Sequence, residues 1–190
     1  MKTYYLIQAK NFYCGAFEIK PNRPYEDVES LLFPFSKKKL PEDIFFTIKK
    51  GKRAVDMIYY FEDVSKKFYS YEFIKILSRH IPMKDYCYQI NLKDSDKKYY
   101  TLYNLPSVKW INRTAILNYV NEPYLFYVEK DIPSIFLLED SANIIVSEDV
   151  KKSIEDNKLT NICFEECFLF SREEYDAYMK HWENIGKYMI

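Results

Sequence analysis

The chain has 190 residues, of which 48% are hydrophobic and 29% are charged, so it can bury one core and global disorder is excluded. Its formal net charge is zero, which argues against general binding to nucleic acid or to an anionic lipid surface. Charged residues also interrupt every apolar run before it reaches the roughly 18 residues that a membrane-spanning helix needs.

The length is typical of a single domain, here residues 1–190, although a smaller N-terminal lobe over residues 1–60 is left open. Aromatic residues make up 18% of the chain and favour half-buried strands. We therefore predict an α+β fold with a mostly antiparallel sheet and a few helices, one of them an amphipathic C-terminal helix.

The cysteines and the N-terminus predict a cytoplasmic protein. The first residues form an apolar run that is too short for a signal peptide and lacks a small-residue cleavage site. Reduced, buried thiols are expected in a cytoplasmic chain of this size. The cysteines are Cys14, Cys87, Cys163 and Cys167. They lack zinc-ligand spacing relative to His80 and His181, so we predict neither a metal site nor a cofactor.

The N-terminal half is predicted to contain two hairpins and a helix. The basic, proline-containing stretch 37–41 predicts a surface loop. Residues 43–49 and 55–61 are β-branched and aromatic runs on either side of Gly51, which predicts a hairpin. Ser65 is a candidate N-cap for a helix that ends near His80, because Phe68, Tyr71, Ile74 and Leu77 recur at helical spacing. Residues 86–92 and 99–103 predict the second hairpin.

The C-terminal half is predicted to alternate strands and helices. Residues 108–117 are ambiguous between strand and short helix, and 124–129, 135–138 and 143–146 are short strand candidates. Ser147 is the N-cap type that opens a helix burying Val150 and Ile154 and ending near Asn157. A strand follows over 159–170. A final helix begins at the capping box 171–174 and presents an apolar face formed by Tyr175, Tyr178, Met179, Trp182 and Ile185.

The chain lacks the sequence patterns of an active site. The sequence contains no G-x-S-x-G nucleophile elbow, and neither histidine lies in a catalytic motif. The glycines at 15, 51 and 186 cannot form a phosphate-binding loop. Glu165 and Glu166 are adjacent in a strand, so they point to opposite faces and cannot share a proton. We therefore predict no enzymatic activity. The alternative is a small hydrolase or transferase with dispersed site residues.

Charge is distributed unevenly along the chain. Residues 1–53 carry eleven basic and six acidic side chains, whereas residues 131–190 carry six basic and thirteen acidic ones. The acidic C-terminal third therefore predicts a docking surface for a basic partner. The candidate partner-binding residues are Glu165, Glu166, Glu173, Glu174, Asp176 and Glu183. A nucleic-acid-binding accessory protein would instead need the basic N-terminal third to form one continuous patch.

Residues 144–164, IIVSEDVKKSIEDNKLTNICF, resemble the closing signature of a family of bacterial immunity proteins from polymorphic toxin systems. That signature consists of apolar residues, Val-Ser-Glu, a short Lys/Glu-rich helix, Leu-Thr-Gly and an apolar strand with Phe. Residues 133–138 also look like the strand that precedes it. Asn161 replaces the usual Gly, so a left-handed turn there would depend on the tolerance of Asn for that conformation.

The resemblance implies a small cytoplasmic protein that binds and neutralises a toxin delivered by neighbouring cells. Its partner would be the cognate toxin protein, with no nucleic acid, membrane or small-molecule ligand involved. If that toxin were a basic nuclease, the acidic C-terminal third would steer association and cover the substrate channel.

Overall fold

The computed structural model describes residues 2–10, 15–61, 63–108, 124–127, 132–138 and 142–170, together with residues 173, 174, 176, 177, 180 and 181. The strands are β1 (Lys2–Gln8), β2 (Glu18–Pro21), β3 (Phe46–Lys50), β4 (Met57–Tyr60), β5 (Asp63–Ser70), β6 (Cys87–Gln89), β7 (Tyr99–Leu102), β8 (Ser107–Val108), β9 (Tyr124–Tyr127), β10 (Ile135–Leu138), β11 (Ile144–Ser147) and β12 (Cys163–Phe170). The α-helices are α1 (Tyr71–Leu77) and α2 (Glu148–Asp156), and short 3-10 helices span Tyr25–Asp27, Glu29–Leu31 and Met83–Asp85. This composition confirms the predicted α+β class.

The first sheet combines the N-terminal strand with the C-terminal half of the chain. Its order is β8-β10-β11-β1-β12-β9. The central strand β1 is antiparallel to both β11 and β12. The outer strands β8 and β9 pair in parallel with β10 and β12. The elements β11, α2 and β12 follow one another along the chain. In the sheet, the N-terminal strand β1 lies between β11 and β12.

The second sheet has the order β3-β2-β4-β5-β7-β6 and curls until its two ends meet. The amide of Phe46 in β3 donates to the carbonyl of Asn91 at 2.8 Å, and the amide of Lys93 donates to the carbonyl of Phe46 at 3.1 Å. An isolated bridge between Phe46 and Leu92 marks the same junction. The second sheet therefore closes on itself like a small barrel.

The hairpin predicted over residues 43–61 is wrong. Both of its strands exist as β3 and β4, but β2 lies between them, antiparallel to β3 and parallel to β4. Gly51 does occupy a turn, with a φ of 84°. The turn contacts the segment that precedes β2. There, the amides of Lys52 and Arg53 both donate to the carbonyl of Gly15 at 3.0 Å.

The predicted helix start at Ser65 is also wrong, because residues 63–70 form strand β5. Phe68, which was assigned to the helix, pairs with Ile58 in the antiparallel β4–β5 ladder. The helix begins instead after Ser70, whose hydroxyl accepts a hydrogen bond from the amide of Phe73 at 3.3 Å. Long-range strand pairing therefore overrides the local helical spacing.

Most of the other predicted elements agree with the structure, although the last strand, predicted over 159–170, begins only at Cys163, and β2 was not predicted. The second hairpin is confirmed by the antiparallel pairing of β6 and β7. The strands β9, β10 and β11 lie within or next to their predicted ranges, and α2 ends at the cap residue Asn157. Residues 173, 174, 176, 177, 180 and 181 are helical. Of the ambiguous segment 108–117, only Val108 is described, and it belongs to β8. The apolar face of the C-terminal helix lies outside the described residues.

Both sheets contribute to one large hydrophobic core. Tyr5, Ile7 and Val146 of the first sheet belong to the same cluster as Met57 and Phe68 of the second. Helices α1 and α2, one from each half, also contact each other. A smaller cluster on the opposite face of the first sheet contains Tyr4, Leu6, Phe136, Ile145 and Cys167. Among the described helices, none is long and apolar enough to cross a membrane.

Candidate partner-binding site

Two of the predicted partner-binding residues, Glu165 and Glu166, lie on opposite faces of β12. The strand register places Glu165 beside Leu6 and Glu166 beside Tyr5. Both glutamates are exposed. Glu165 accepts a hydrogen bond from the side-chain amide of Gln8 at 3.0 Å. A partner that covers one face of the sheet therefore contacts only one of these two carboxylates.

The other predicted acidic residues belong to the C-terminal helix. Glu173, Glu174 and Asp176 are exposed helical residues, and so is Lys180 on the same segment. Glu183 lies outside the described residues. The helix thus presents three described carboxylates to solvent within a single turn.

An open groove of about 460 Å³ lies between the last turn of α2 and the neighbouring parts of β1 and β12. This volume is in the range that accommodates small ligands or a few side chains of a partner. Its floor is apolar or aromatic and at least half-buried, whereas most of its rim is charged and exposed. The floor contains Tyr5, Ile154, Leu159, Ile162 and Phe164, and the rim contains Lys10, Lys151, Glu155, Lys158 and Glu166, with Cys163 beside them.

The sequence of α2 produces this groove. Val150 and Ile154 are one helical turn apart and are buried against the sheet. Glu155 therefore points outward at the end of the helix. Lys158 then adopts a φ of 53°, which turns the chain back so that Leu159 contacts the core cluster. The rim charges and the apolar floor thus come from the same few residues.

Tyr5 is held rigidly in the floor of the groove. A hydrogen bond to Glu148 and burial of the ring raise the pKa of Tyr5 to about 12, so the phenol stays neutral. The Lys151 ammonium lies 4.0 Å from the centre of the Tyr5 ring and 3.9 Å from a carboxylate oxygen of Glu148. Phe164 meets the Tyr5 ring edge to face at 6.4 Å. These contacts fix Tyr5 before any partner binds.

Thr160, next to the groove, joins the first sheet to the second. The Thr160 amide and hydroxyl both donate to the carboxylate of Asp56 at 2.7 Å. Ser70 and Lys97 donate to the other oxygen of the same carboxylate, at 2.7 and 3.0 Å. Burial alone would raise the pKa of Asp56, but these hydrogen bonds outweigh it and lower the pKa below its usual value. Asp56 is therefore an ionised link between the two halves of the chain.

Asn161 completes this link. Its φ is 62°, which confirms the left-handed turn expected at the position where the resembling family has Gly. Its side-chain amide donates to the carbonyl of Met57 at 3.0 Å and to the hydroxyl of Tyr59 at 2.7 Å. Asn161 is only 9% exposed. The residue therefore combines a backbone conformation with two contacts that Gly could not make.

The structure brings together one serine and one histidine that the sequence did not connect. Nε2 of His80 lies 3.0 Å from Oγ of Ser153. The Ser153 hydroxyl also lies 2.8 Å from the carbonyl of Asp149, to which it can donate. The contact between His80 and Ser153 ties α2 to the segment after α1.

The described thiols are in environments that favour the protonated form. Burial raises the pKa of Cys87 to about 11 and that of Cys167 to about 12, and it also raises the pKa of Cys163. A protonated thiol is a poor nucleophile and metal ligand. Within the described ranges, no group of three or more His, Cys, Asp or Glu residues is arranged to hold a metal ion. Cys14 lies outside those ranges.

Sequence reasoning missed most of the groove. Glu166 was among the predicted partner-binding residues, but Lys10, Lys151, Glu155 and Lys158 were not, because charged residues on a helix or in a turn resemble any solvated face. The comparisons with known proteins add no assignment: no protein-family model matches the chain, and a search of the curated proteins finds no significant match.

Proposed function

We propose that this chain is an immunity protein that binds the active domain of a cognate bacterial toxin and neutralises it. The supporting observation is that the signature at residues 144–164 folds as one continuous unit, β11-α2-β12, around β1. Two of its distinctive polar residues have contacts inside the chain: Glu148 with Tyr5 and Thr160 with Asp56. The resemblance therefore extends to residues that hold the unit together.

Because those residues make contacts within the chain, we expect the exposed side chains around them to contact the partner. The groove beside α2 has the composition of a protein-binding site, with a rigid aromatic floor and a polar rim. An apolar side chain of the toxin would enter the floor beside Tyr5 and Phe164. Glu155 and Glu166 would pair with basic residues that flank it.

Co-expression tests this function directly. A candidate toxin domain, taken from the product of the gene adjacent to the one that encodes this chain, is produced in a sensitive bacterial strain with and without the present chain. We expect the chain to restore growth and to co-purify with the toxin domain. Unrelieved toxicity, with both proteins folded and present, would reject the proposal.

A matched pair of charge reversals tests the groove. Glu155 and Asp156 are adjacent, exposed and acidic, but only Glu155 lines the groove. We expect Glu155→Lys to weaken toxin binding by about tenfold, because it places a cation against the basic partner. Asp156→Lys should leave the affinity within about twofold of the wild type. Equal affinities of the two variants, measured by calorimetry, would remove the groove from the interface.

A second set of substitutions tests the acidic C-terminal helix. Replacing Glu173, Glu174 and Asp176 together with Lys should slow association with a basic toxin and weaken its dependence on salt. The free energy of unfolding should change far less than the free energy of binding, because all three side chains are exposed. Stopped-flow association at two salt concentrations measures the effect, and an unchanged association rate would exclude this helix from steering.

A further inference from the structure

The loop formed by residues 33–39, FPFSKKK, combines an exposed aromatic ring with three exposed lysines. We call it the aromatic–lysine loop. Phe35 is 46% exposed, and Tyr71 is the other large hydrophobic residue with comparable exposure in the described part of the chain. The Phe35 ring stacks on Phe33 with centroids 4.7 Å apart and an interplanar angle of 15°. One face of Phe35 is thus covered, and the other faces outward.

The stack rests on a buried cation. The Lys66 ammonium lies 3.0 Å from the centre of the Phe33 ring, and the Lys66 side chain is only 3% exposed. Its charge is partly compensated by Asp63, whose carboxylate oxygen is 3.7 Å away. A desolvated cation–π contact is worth about 2 kcal/mol, so Phe33 is a firm base for the exposed ring.

Hydrogen bonds hold the backbone of the loop at several points. The amide of Leu105 donates to the carbonyl of Pro34 at 3.1 Å, and that of Asn104 donates to Ser36 at 2.7 Å. Lys39 lies over the Tyr103 ring, with its ammonium 5.0 Å from the centroid. The exposed phenylalanine is therefore preordered, which lowers the entropic cost of binding through it.

The free charges of the loop are positive. Lys37 and Lys38 are exposed and form no ion pair with any described residue. Two solvated cations beside a fixed apolar ring complement a surface that offers an apolar pocket edged by carboxylates.

We propose that the aromatic–lysine loop docks onto an acidic patch of a protein partner, with Phe35 as the apolar anchor and Lys37 and Lys38 as its flanking charges. The inference rests on the proposed function only for the identity of that partner, the toxin domain. It assigns the toxin a second, acidic contact region, apart from any basic region that the acidic helix binds.

A protein fits this surface better than a single-stranded nucleic acid does. A nucleic acid needs several stacking platforms along a continuous basic track, whereas Phe35 offers one ring face. The other basic segment, residues 49–53, begins at the far end of β3 from the Phe46–Leu92 bridge.

The test uses the full chain and three variants. Phe35→Ser removes the anchor, Lys37→Glu with Lys38→Glu reverses the flanking charges, and Lys49→Glu with Lys52→Glu is the matched control at the far end. The probes are fluorescein-labelled octaglutamate and an oligothymidine of matched charge, titrated at low salt, with amide shifts mapped by NMR. Thermal unfolding confirms that each variant is folded.

We expect octaglutamate to shift the amides of the aromatic–lysine loop and to bind both loop variants at least about fivefold more weakly, with the control within about twofold. Equal weakening in both charge-reversed variants, preferential binding of oligothymidine at the loop, or no binding of octaglutamate would each overturn the inference.

Growth rescue separates the two proposals. Full rescue and unchanged toxin affinity with Phe35→Ser would reject the loop and leave the immunity function standing. Failure of the wild type to rescue would reject the immunity function while the peptide result still stands.

Discussion

Asn161 shows how one residue satisfies a backbone requirement and a packing requirement together. Its φ of 62° would strain most side chains by about 1–2 kcal/mol, and its amide reaches across to Met57 and Tyr59. Asn161→Ala loses the tolerance of Asn for this φ as well as both amide hydrogen bonds, and it should lower the free energy of unfolding by about 3 kcal/mol. Asn161→Gly loses only the amide contacts and should be about 1 kcal/mol more stable than the Ala variant. Urea unfolding measures the difference, and equal stabilities would show that the conformation at residue 161 carries no cost.

Asp56 makes the stability of the chain depend on pH in the acid range. Its pKa is lower in the folded chain than in the unfolded chain, where 3.8 is the ordinary value. The carboxylate therefore stabilises the fold fully above the unfolded pKa, and this contribution is lost as the pH falls through the folded pKa. Asp56→Asn should cost about 2 kcal/mol at neutral pH and flatten the loss of stability below pH about 4. Chemical unfolding at several pH values tests this, and parallel curves for the two proteins would contradict it.

These two residues differ in how far the sequence could predict them. Asn161 was identifiable because a helix end, a resembling motif with Gly and the known tolerance of Asn all converge on one position. Asp56 was not, because its main partner, Thr160, is 104 residues away in sequence. The groove was hidden for a similar reason. Lys10 follows the end of β1 and Glu166 lies in β12, and only the β1–β12 register brings these parts of the chain together.

At the level of elements, the turn at Gly51 has a tighter geometry than a hairpin would require. With a φ of 84°, the residue passes so close to the start of β2 that an added Cβ would lie 1.9 Å from the carbonyl oxygen of Ala16. Gly51→Ala should therefore destabilise the chain by at least about 2 kcal/mol, since neither backbone can yield easily. Gly15→Ala is the control, because it has a comparable φ of 75° but only ordinary contacts with Arg53. Equal thermal shifts for the two variants would show that conformation, not close approach, sets the cost.

The errors in element assignment have a common cause. The strands β3 and β4 were recognised from their β-branched and aromatic composition, but composition does not reveal that β2 inserts between them. Likewise, Ser65 and Ser70 are equally good caps in sequence. Pairing of β5 with β4 extends the strand to Ser70, and the helix begins only after it. Local patterns thus identified most elements, while long-range pairing decided their partners and one of their boundaries.

At the level of the whole molecule, the shared core and the Asp56 link predict that both sheets unfold together. Tyr5 and Met57 belong to one buried cluster, although they come from different sheets. We therefore expect a single unfolding transition, and hydrogen exchange in β1 and β4 should report the same free energy. Asp56→Asn should weaken protection in both sheets by similar amounts. Two separate transitions would instead support an independent N-terminal lobe.

Closure of the second sheet has a consequence for self-association. Phe46 bonds to Asn91 and Lys93 at the place where β3 and β6 would otherwise end the sheet. A neighbouring copy of the chain therefore meets backbone groups at this junction that are already satisfied, and it cannot readily add a strand there to start a fibril. Strand addition at this junction would first require that the hydrogen bonds of Phe46 with Asn91 and Lys93 break.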